Sequence, residues 1–325
     1  MLPDIYFNEN FGKLYEEVEH AKAERFVFKS ELGTVIHQFM LREIPDAEGY
    51  YDIVTPYGYG GPLITECSGD RAALAEAFGK AFGDYCTEQK IVSEFVRFHP
   101  IVDNQADFRN IYETIYLHHT VGTDIANHED PVQEEFSKSC RKTIRQAMRK
   151  GVTCRITQAP ADLKSFIPIY YDTMRRDQAS EYYYFPESYF ETCLQYYRDH
   201  ILLAEALFED QVIAAGFYFV YGGILQAHLS GTRENCLHLS PAYVLKYTTA
   251  EWAKEHGVSV IHYGGGTSDA DDDPLYVFKK KFTKETEFDF YVGKKIWNEK
   301  IYAELCEKKQ IDRAAVGYFP QYRAN

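Results

Sequence analysis

Residues 262–282 read HYGGGTSDADDDPLYVFKKKF. Gly264, Gly265 and Gly266 follow a short apolar run, as though a strand opened onto a ligand. Glycines let a ligand approach the backbone closely and can expose amides to an oxyanion. Asp269, Asp271, Asp272 and Asp273 come next; they would repel a phosphate and could attract an ammonium, or could form a solvated loop tip. Calcium is a poor fit, because Pro274 and Lys280 occupy the glycine and glutamate positions of an EF-hand loop counted from Asp269. Lys279, Lys280 and Lys281 then stand between Phe278 and Phe282. Elsewhere, His99 ends an apolar run and is either a general base at neutral pH or a structural histidine. His228 lies in ILQAHLSGT, where alternation puts it on the face of Gln226 and Ser230, and a hydrogen-bonded sheet histidine is the preferred reading.

The elements that must position these residues come in one order twice. Residues 10–23 read as a helix with Phe11, Leu14, Tyr15 and Val18 on one stripe. RFVFKSE and VIHQFMLREI form a hairpin around Leu32-Gly33, and YYDIVT adds a third strand. The loop PYGYGGPL, a helix over 71–89 and the strand IVSEFVRFHP follow. In the second half, helices near 161–176 and 187–199 precede three strands from ILLAEALFED to ILQAHLSGT. SPAYVLKYTTAEWAKEHG is a helix with Ser240 as N-cap, Pro241 in its first turn and Gly257 as terminator; it leads into VSVIHYGGG. Between the halves, SKSCRKTIRQAMRKGV carries Lys138, Arg141, Lys142, Arg145, Arg149 and Lys150 with no acid among them, and reads as a linking helix with an anion-facing side.

Bulk composition sets the class. The chain has 325 residues, with 45% hydrophobic and 26% charged, as in a globular protein large enough for more than one core. Its net charge of −14 argues against indiscriminate binding of DNA or of anionic membrane. Aromatics reach 16% with 27 tyrosines, which suits a ligand surface as well as a core. Seven cysteines show no CxxC pair and no metal-ligand spacing, so no metal is expected. MLPDIYFNENF has neither a basic nor an apolar leader pattern, and VIAAGFYFVYGGIL is too short to span a bilayer, so a cytoplasmic protein without a transmembrane segment is expected. There is no GxSxG, HExxH or GxxxxGK[ST].

A meander, a loop, a helix and a further strand resemble the GNAT acyltransferase fold. The strings TPYGYGGPL, RFHP, SCRKTIRQAMRKGV, YDTMRR followed by SEYYYFPESYF, HLSGT, YGGG and LYVFKKKF together resemble the FemAB-like branch of that superfamily. That branch includes aminoacyl-tRNA-dependent transferases that build peptidoglycan cross-bridges. The chain departs from it at His99, where the larger members often carry Asp before the proline, and in lacking the long coiled-coil arm. The resemblance implies an α/β (α+β) chain with a tandem pair of GNAT-like domains and mixed, mainly antiparallel sheets. The expected domains are 1–150, ending in the basic helix, and 151–325, with the tail 294–325 packing back on the pair.

The resemblance also implies roles. Phe278 and Lys279 match the family's pair at the aminoacyl-transfer centre, so the catalytic assignments are Lys279, Phe278 and His99. Arg175 matches an arginine that contacts a phosphate of the acceptor precursor, with Arg176 as its neighbour and alternative. Tyr57, Tyr59, Tyr183, Tyr184, His228, Tyr263 and the three glycines are assigned to substrate binding. Arg141, Lys142 and Arg145 are assigned to the anionic donor. Neither SGTRENCLHLSPAY nor PYGYGGPL makes a good coenzyme A cradle. That tilts the donor away from acetyl-CoA, which stays as the alternative, and the resemblance implies aminoacyl-tRNA as donor with no tightly bound cofactor. The expected acceptor is a small-molecule or nucleotide-linked cell-wall precursor. An N-acetyltransferase and a non-catalytic ligand-binding protein stand as the other readings.

Overall fold

A computed structural model describes residues 2–268, 270, 272–314 and 317–324. It divides into two compact units: an N-terminal one made of Leu2, residues 6–117 and 289–325, and a C-terminal one made of residues 3–5 and 118–288. The division therefore falls at residues 117/118 and 288/289 and not near Gly151, because the basic helix packs into the core of the C-terminal unit through Cys140, Ile144 and Ala147.

In the N-terminal unit a 3-10 turn (Gly12–Tyr15) leads into one helical turn, α1 (Glu16–Glu19). The helix expected over 10–23 stops there. His20 turns left-handed (φ 48°), and the Glu16 carboxylate takes the Ala23 N–H at 2.9 Å as the chain enters β1 (Lys22–Ser30). β2 (Gly33–Glu43), β3 (Tyr51–Val54) and β4 (Leu63–Cys67) follow. Helix α2 (Arg71–Glu88), capped by Asp70, leads to β5 (Ile91–Arg97) and α3 (Gln105–Phe108). The order is β1-β2-β3-β5, with β4 also on β2 and β3 parallel to β5. The core holds Phe39, Phe78, Phe82 and Phe98.

Strand β6 (Glu113–Asp124) carries the chain into the C-terminal unit. There α4 (Pro131–Glu135), α5 (Lys138–Arg149), β7 (Thr153–Gln158), α6 (Phe166–Arg176) and α7 (Glu187–Tyr197) precede the meander of β8 (Ile201–Phe208), β9 (Gln211–Tyr221) and β10 (Ile224–Thr232). Next come α8 (Pro241–Glu255), β11 (Val260–Gly264) and α9 (Pro274–Lys279). The order is β6-β11-β10-β9-β8-β7, antiparallel except for β10 beside β11. Ser240 precedes α8 in the left-handed region (φ 56°) and its side chain makes no cap bond, so Pro241 alone marks that start. Gly257 (φ 68°) ends the helix as expected.

β12 (Glu287–Ile296) returns to the N-terminal unit, antiparallel to β5. The tail follows as α10 (Glu299–Lys308) and packs in that unit, Tyr302, Leu305 and Tyr322 closing over Ile44 and Val92. Each unit thus has a meander, a helix and a strand parallel to the meander's last strand.

Candidate active site

The C-terminal end of β11 explains its glycines locally. Gly264 has φ 74°, a left-handed value that favours glycine. A Cβ at Gly265 would stand 2.3 Å from His118 Cε1, and one at Gly266 would stand 2.6 Å from Asp273 Oδ1. The glycines are required by the loop itself, which wraps tightly on Asp273. That carboxylate is buried and accepts six hydrogen bonds: from the N–H and hydroxyl of both Thr267 and Ser268 (2.6–3.1 Å) and from the amides of Leu275 and Tyr276 (2.9 Å each). Burial alone would raise its pKa, but these bonds win and hold the carboxyl well below the usual range. Of the acidic run, Asp273 is thus the cap of α9 and the pin of the loop, and Asp272 is exposed, while Asp269 and Asp271 lie outside the described residues.

Pinning the loop aims Lys279. Its Nζ donates to the Gly265 carbonyl at 2.6 Å, and burial brings the ammonium down to about 8, Asp273 opposing the fall. An ammonium has three donors, and only one is used among the described residues. The neighbouring lysines face elsewhere: Lys280 pairs with Glu287, and Lys281 donates to the Tyr243 hydroxyl at 3.0 Å. Phe278 and Phe282 meet edge-on with centroids 5.1 Å apart, Phe282 fully buried. This stripe fixes the turn that separates the three lysines.

Beside this loop the sheet parts. β10 and β11 pair only over Ile224–Val260, Leu225–Ile261 and Gln226–His262; β10 then runs on to Thr232 against β9, while β11 continues to Gly264 against β6. A register shift in β10 between Ala227 and Leu229 puts His228 at the parting. Its Nε2 meets the Tyr189 hydroxyl at 2.5 Å, and burial drives its pKa down to about 3, so it is a neutral sheet histidine. Tyr263 is buried with its hydroxyl 2.8 Å from Thr123 Oγ1, which makes it a wall of the core under the loop and not an exposed contact. His262 is held from both sides, Nδ1 by Gln226 Oε1 at 2.8 Å and Nε2 by Thr120 Oγ1 at 2.9 Å, with Gln226 Nε2 in turn donating to Asp4 at 2.5 Å. That chain ties residues 3–5 to the C-terminal unit.

Sequence reasoning missed Lys246. It projects from α8, is 8% exposed, and lays Nζ 4.4 Å from the Tyr263 ring centroid and 5.3 Å from that of Tyr218. Its helix reads as ordinary amphipathic sequence, so only the tertiary packing reveals a buried cation.

The remaining assignments separate. Arg175 is exposed and paired with Asp172, whereas Arg176 donates to Asp177 and to the Thr232 carbonyl at 2.8 Å, braced against the end of β10. Tyr183 is exposed, and Tyr184 stacks on Tyr171. Arg141 turns back onto the carbonyls of Gln133 and Phe136, so it braces α4; Lys142 and Arg145 are exposed and form no ion pair among the described residues. His99, Tyr57 and Tyr59 belong to the N-terminal unit. His99 is wholly buried, takes the Val102 N–H on Nδ1 at 3.2 Å and packs on Phe7, Tyr6 and Tyr59. Aromatic rings enclose it, and its ring nitrogen organises a turn. Tyr57 stacks on Tyr15.

Residues 138–279 match the acetyltransferase (GNAT) domain family. The UDP-N-acetylmuramoylpentapeptide-lysine N(6)-alanyltransferase of Weissella viridescens is 24% identical over 175 residues, 53% of this chain and 51% of that protein, so the match spans about half the length of that relative. The structure of FemX superposes with a TM-score of 0.68 at 14% identity, covering 93% of this chain and 94% of FemX. L-PGS from Bacillus licheniformis gives 0.57 at 13% identity, covering 95% and 99%. The fold is like that of FemX, a tandem GNAT-like α/β architecture. Among the described residues no helix is long and apolar enough to cross a membrane, and no cluster of His, Cys, Asp or Glu is arranged to hold a metal.

Proposed function

We propose that the chain is an acyltransferase that moves an aminoacyl group from aminoacyl-tRNA onto an amine of a nucleotide-linked cell-wall precursor. The observation that carries this reading is the parting of β10 from β11 beside a glycine loop that holds Lys279 with two donors to spare. Acyl transfer to an amine needs a place for the planar acyl group, a cation for the tetrahedral oxyanion and a holder for the anionic leaving group. The parted strands supply the first, and Lys279 the second. The exposed Lys142 and Arg145 on α5, with Arg176 at the end of β10, are the candidates for polyanionic contacts. The alanyltransferase relative and the FemX fold support the choice of donor and acceptor.

Acetyl-CoA fits less well. A GNAT pyrophosphate sits on amides at a helix N-terminus; here residues 234–239 form a 3-10 turn, Ser240 N–H is used by the Leu237 carbonyl and Pro241 has none to give. The test is a thermal-shift panel with coenzyme A, acetyl-CoA, alanyl-tRNA and a UDP-linked muramoyl pentapeptide. Stabilisation by the tRNA and the pentapeptide is expected. Stabilisation by coenzyme A alone overturns the aminoacyl reading, and stabilisation by the pentapeptide without turnover of any donor favours a binding protein. A location in the cytoplasm, where these partners are found, goes with this reading.

A further inference from the structure

Lys246, buried, and Lys279, half-buried, put two ammonium groups within electrostatic reach of each other in the C-terminal unit without a matching pair of carboxylates. They are not equivalent. Lys279 has a carbonyl acceptor and feels Asp273. Lys246 has neither an acceptor nor an acid among the described residues, only the faces of two tyrosines. A buried, unpartnered amine next to a retained cation is best relieved by losing its proton. Two like groups whose surroundings push them apart can divide the acid–base work of a reaction between them.

We propose that Lys246 is the proton acceptor that converts the incoming ammonium into the attacking amine, while Lys279 remains charged and holds the oxyanion. This rests on the acyl-transfer reading. Neutral Lys246 Nζ takes one proton from the acceptor's ammonium. The freed lone pair forms the C–N bond at the donor's ester carbonyl, and the carbonyl π pair moves onto oxygen beside Lys279. Collapse breaks the C–O ester bond, and the leaving ribose oxygen takes the second proton from the tetrahedral nitrogen. Lys246 then returns its proton to water. The Tyr218 and Tyr263 rings offset part of the cost of the transient ammonium.

Electrostatics agree with this division of labour. Burial first, and the Lys279 charge second, bring Lys246 down to about 7, below the value near 8 at Lys279. The tyrosines and cysteines around it are held away from neutrality. Burial raises Tyr218 of β9 and Tyr263 of β11, and pushes Cys140 of α5 to about 12 and Cys154 of β7 to about 11. Glu135 of α4 is occupied by the loop at Thr283–Thr286, with Lys284 N–H at 2.7 Å. Activity should therefore rise as pH passes about 7, when Lys246 loses its proton, and fall above about 8, when Lys279 loses its charge.

The test is turnover of alanyl-tRNA with the UDP-linked pentapeptide from pH 6 to 9, for the wild-type chain, Lys246→Met and Lys246→Arg. Lys246→Met should lower kcat by roughly a hundredfold with KM little changed, and should abolish the rising limb. Arginine cannot accept a proton at these pH values, so Lys246→Arg should not rescue. Rescue by arginine, or an unchanged acid limb in Lys246→Met, overturns the proposal and leaves the transferase reading standing. Absence of turnover by the wild-type chain overturns both. NMR of 13Cε-labelled lysine in the wild-type chain, assigned by the resonance lost in Lys246→Arg, reads the same question without substrate. A midpoint near neutrality supports the proposal; one within about a pH unit of the ordinary lysine value, ~10.4, overturns it.

Discussion

The residues after β5 and those after β11 occupy corresponding places in the two units, and each is pinned by one polar side chain. After β5 it is Asn104, which takes the His99 N–H at 2.9 Å and donates to the carbonyls of Gly60 and Pro62 at 2.8 Å. After β11 it is Asp273, with its six bonds. The cations beside them differ. Arg97 spends its guanidinium on the carbonyls of Thr55, Pro56 and Gly58 (2.7–3.1 Å), closing the PYGYGGPL loop, and aromatic rings fill the space around His99. Lys279 spends one donor of three. The same scaffold therefore carries one strand end whose cation is tied to three carbonyls of one loop and one whose cation is held by a single carbonyl. A cation anchored at three points is fixed in its loop, whereas one anchored at a single point keeps reach.

The sharpest way to break this contrast is to remove the available cation. Lys279→Met should leave the fold intact and cut kcat by roughly a hundredfold or more, as expected for loss of an oxyanion donor. Lys280→Met and Lys281→Met should stay within a few-fold, since these side chains are committed to Glu287 and to Tyr243. Steady-state rates of the three variants decide it. Equal losses would make the lysines a diffuse anion patch and remove the distinction between the two strand ends.

The two pins offer a matched pair of perturbations. Asp273→Ala should cost about 2–3 kcal/mol in denaturant unfolding and also cut turnover, because Lys279 loses its aim. Asn104→Ala should cost about 1–3 kcal/mol and leave kcat unchanged. A loss of kcat in Asn104→Ala would show that the N-terminal strand end is not merely structural. Acid adds a signature to Asp273. Its folded-state pKa is depressed, so the stability it contributes is present above the ordinary aspartate value of 3.8 and drains away as pH falls below it. The difference in stability between wild type and Asp273→Ala should therefore shrink between about pH 4 and pH 2.

How much of this was legible in the sequence depended on whether the signal was local. The meanders, α2, α8 and β11 follow from alternation, capping and terminators, and the doubled order follows from them. β4, β6, β7 and β12 were missed. β6 holds two adjacent histidines with only its last third buried, and β12 ends in two lysines and gains its partner, β5, from residues about two hundred positions earlier. The boundary near Gly151 failed for the same reason: chain order cannot show that residues 289–325 return to the first unit. At the site, helical periodicity implies that only one of the three lysines can face the loop, and the resemblance of Phe278-Lys279 to a family pair chose which one. Lys246 could not be found that way, since nothing in PAYVLKYTTAEW sets one buried lysine apart from an exposed one. Neither reading of the acidic run, ammonium attraction or solvated loop tip, foresaw that six hydrogen bonds make Asp273 a cap.

The smallest effect expected concerns α5. Arg141 is folded against α4 and should act on stability only, whereas Lys142 and Arg145 project from the exposed side of a helix anchored by Cys140, Ile144 and Ala147. If they touch the phosphates of a tRNA, Lys142→Glu combined with Arg145→Glu should weaken tRNA binding several-fold at low salt. It should also flatten the slope of log K against log salt by about two, since each lost contact no longer releases its counterion. The paired control is Lys29→Glu with Lys80→Glu on the N-terminal unit, which should change neither quantity beyond the small effect of net charge. Filter binding from 50 to 200 mM salt reads both pairs. An unchanged slope in the α5 variant would make this helix a basic strut with no anion of its own, and would confine the functional cations of the C-terminal unit to those beside the glycine loop.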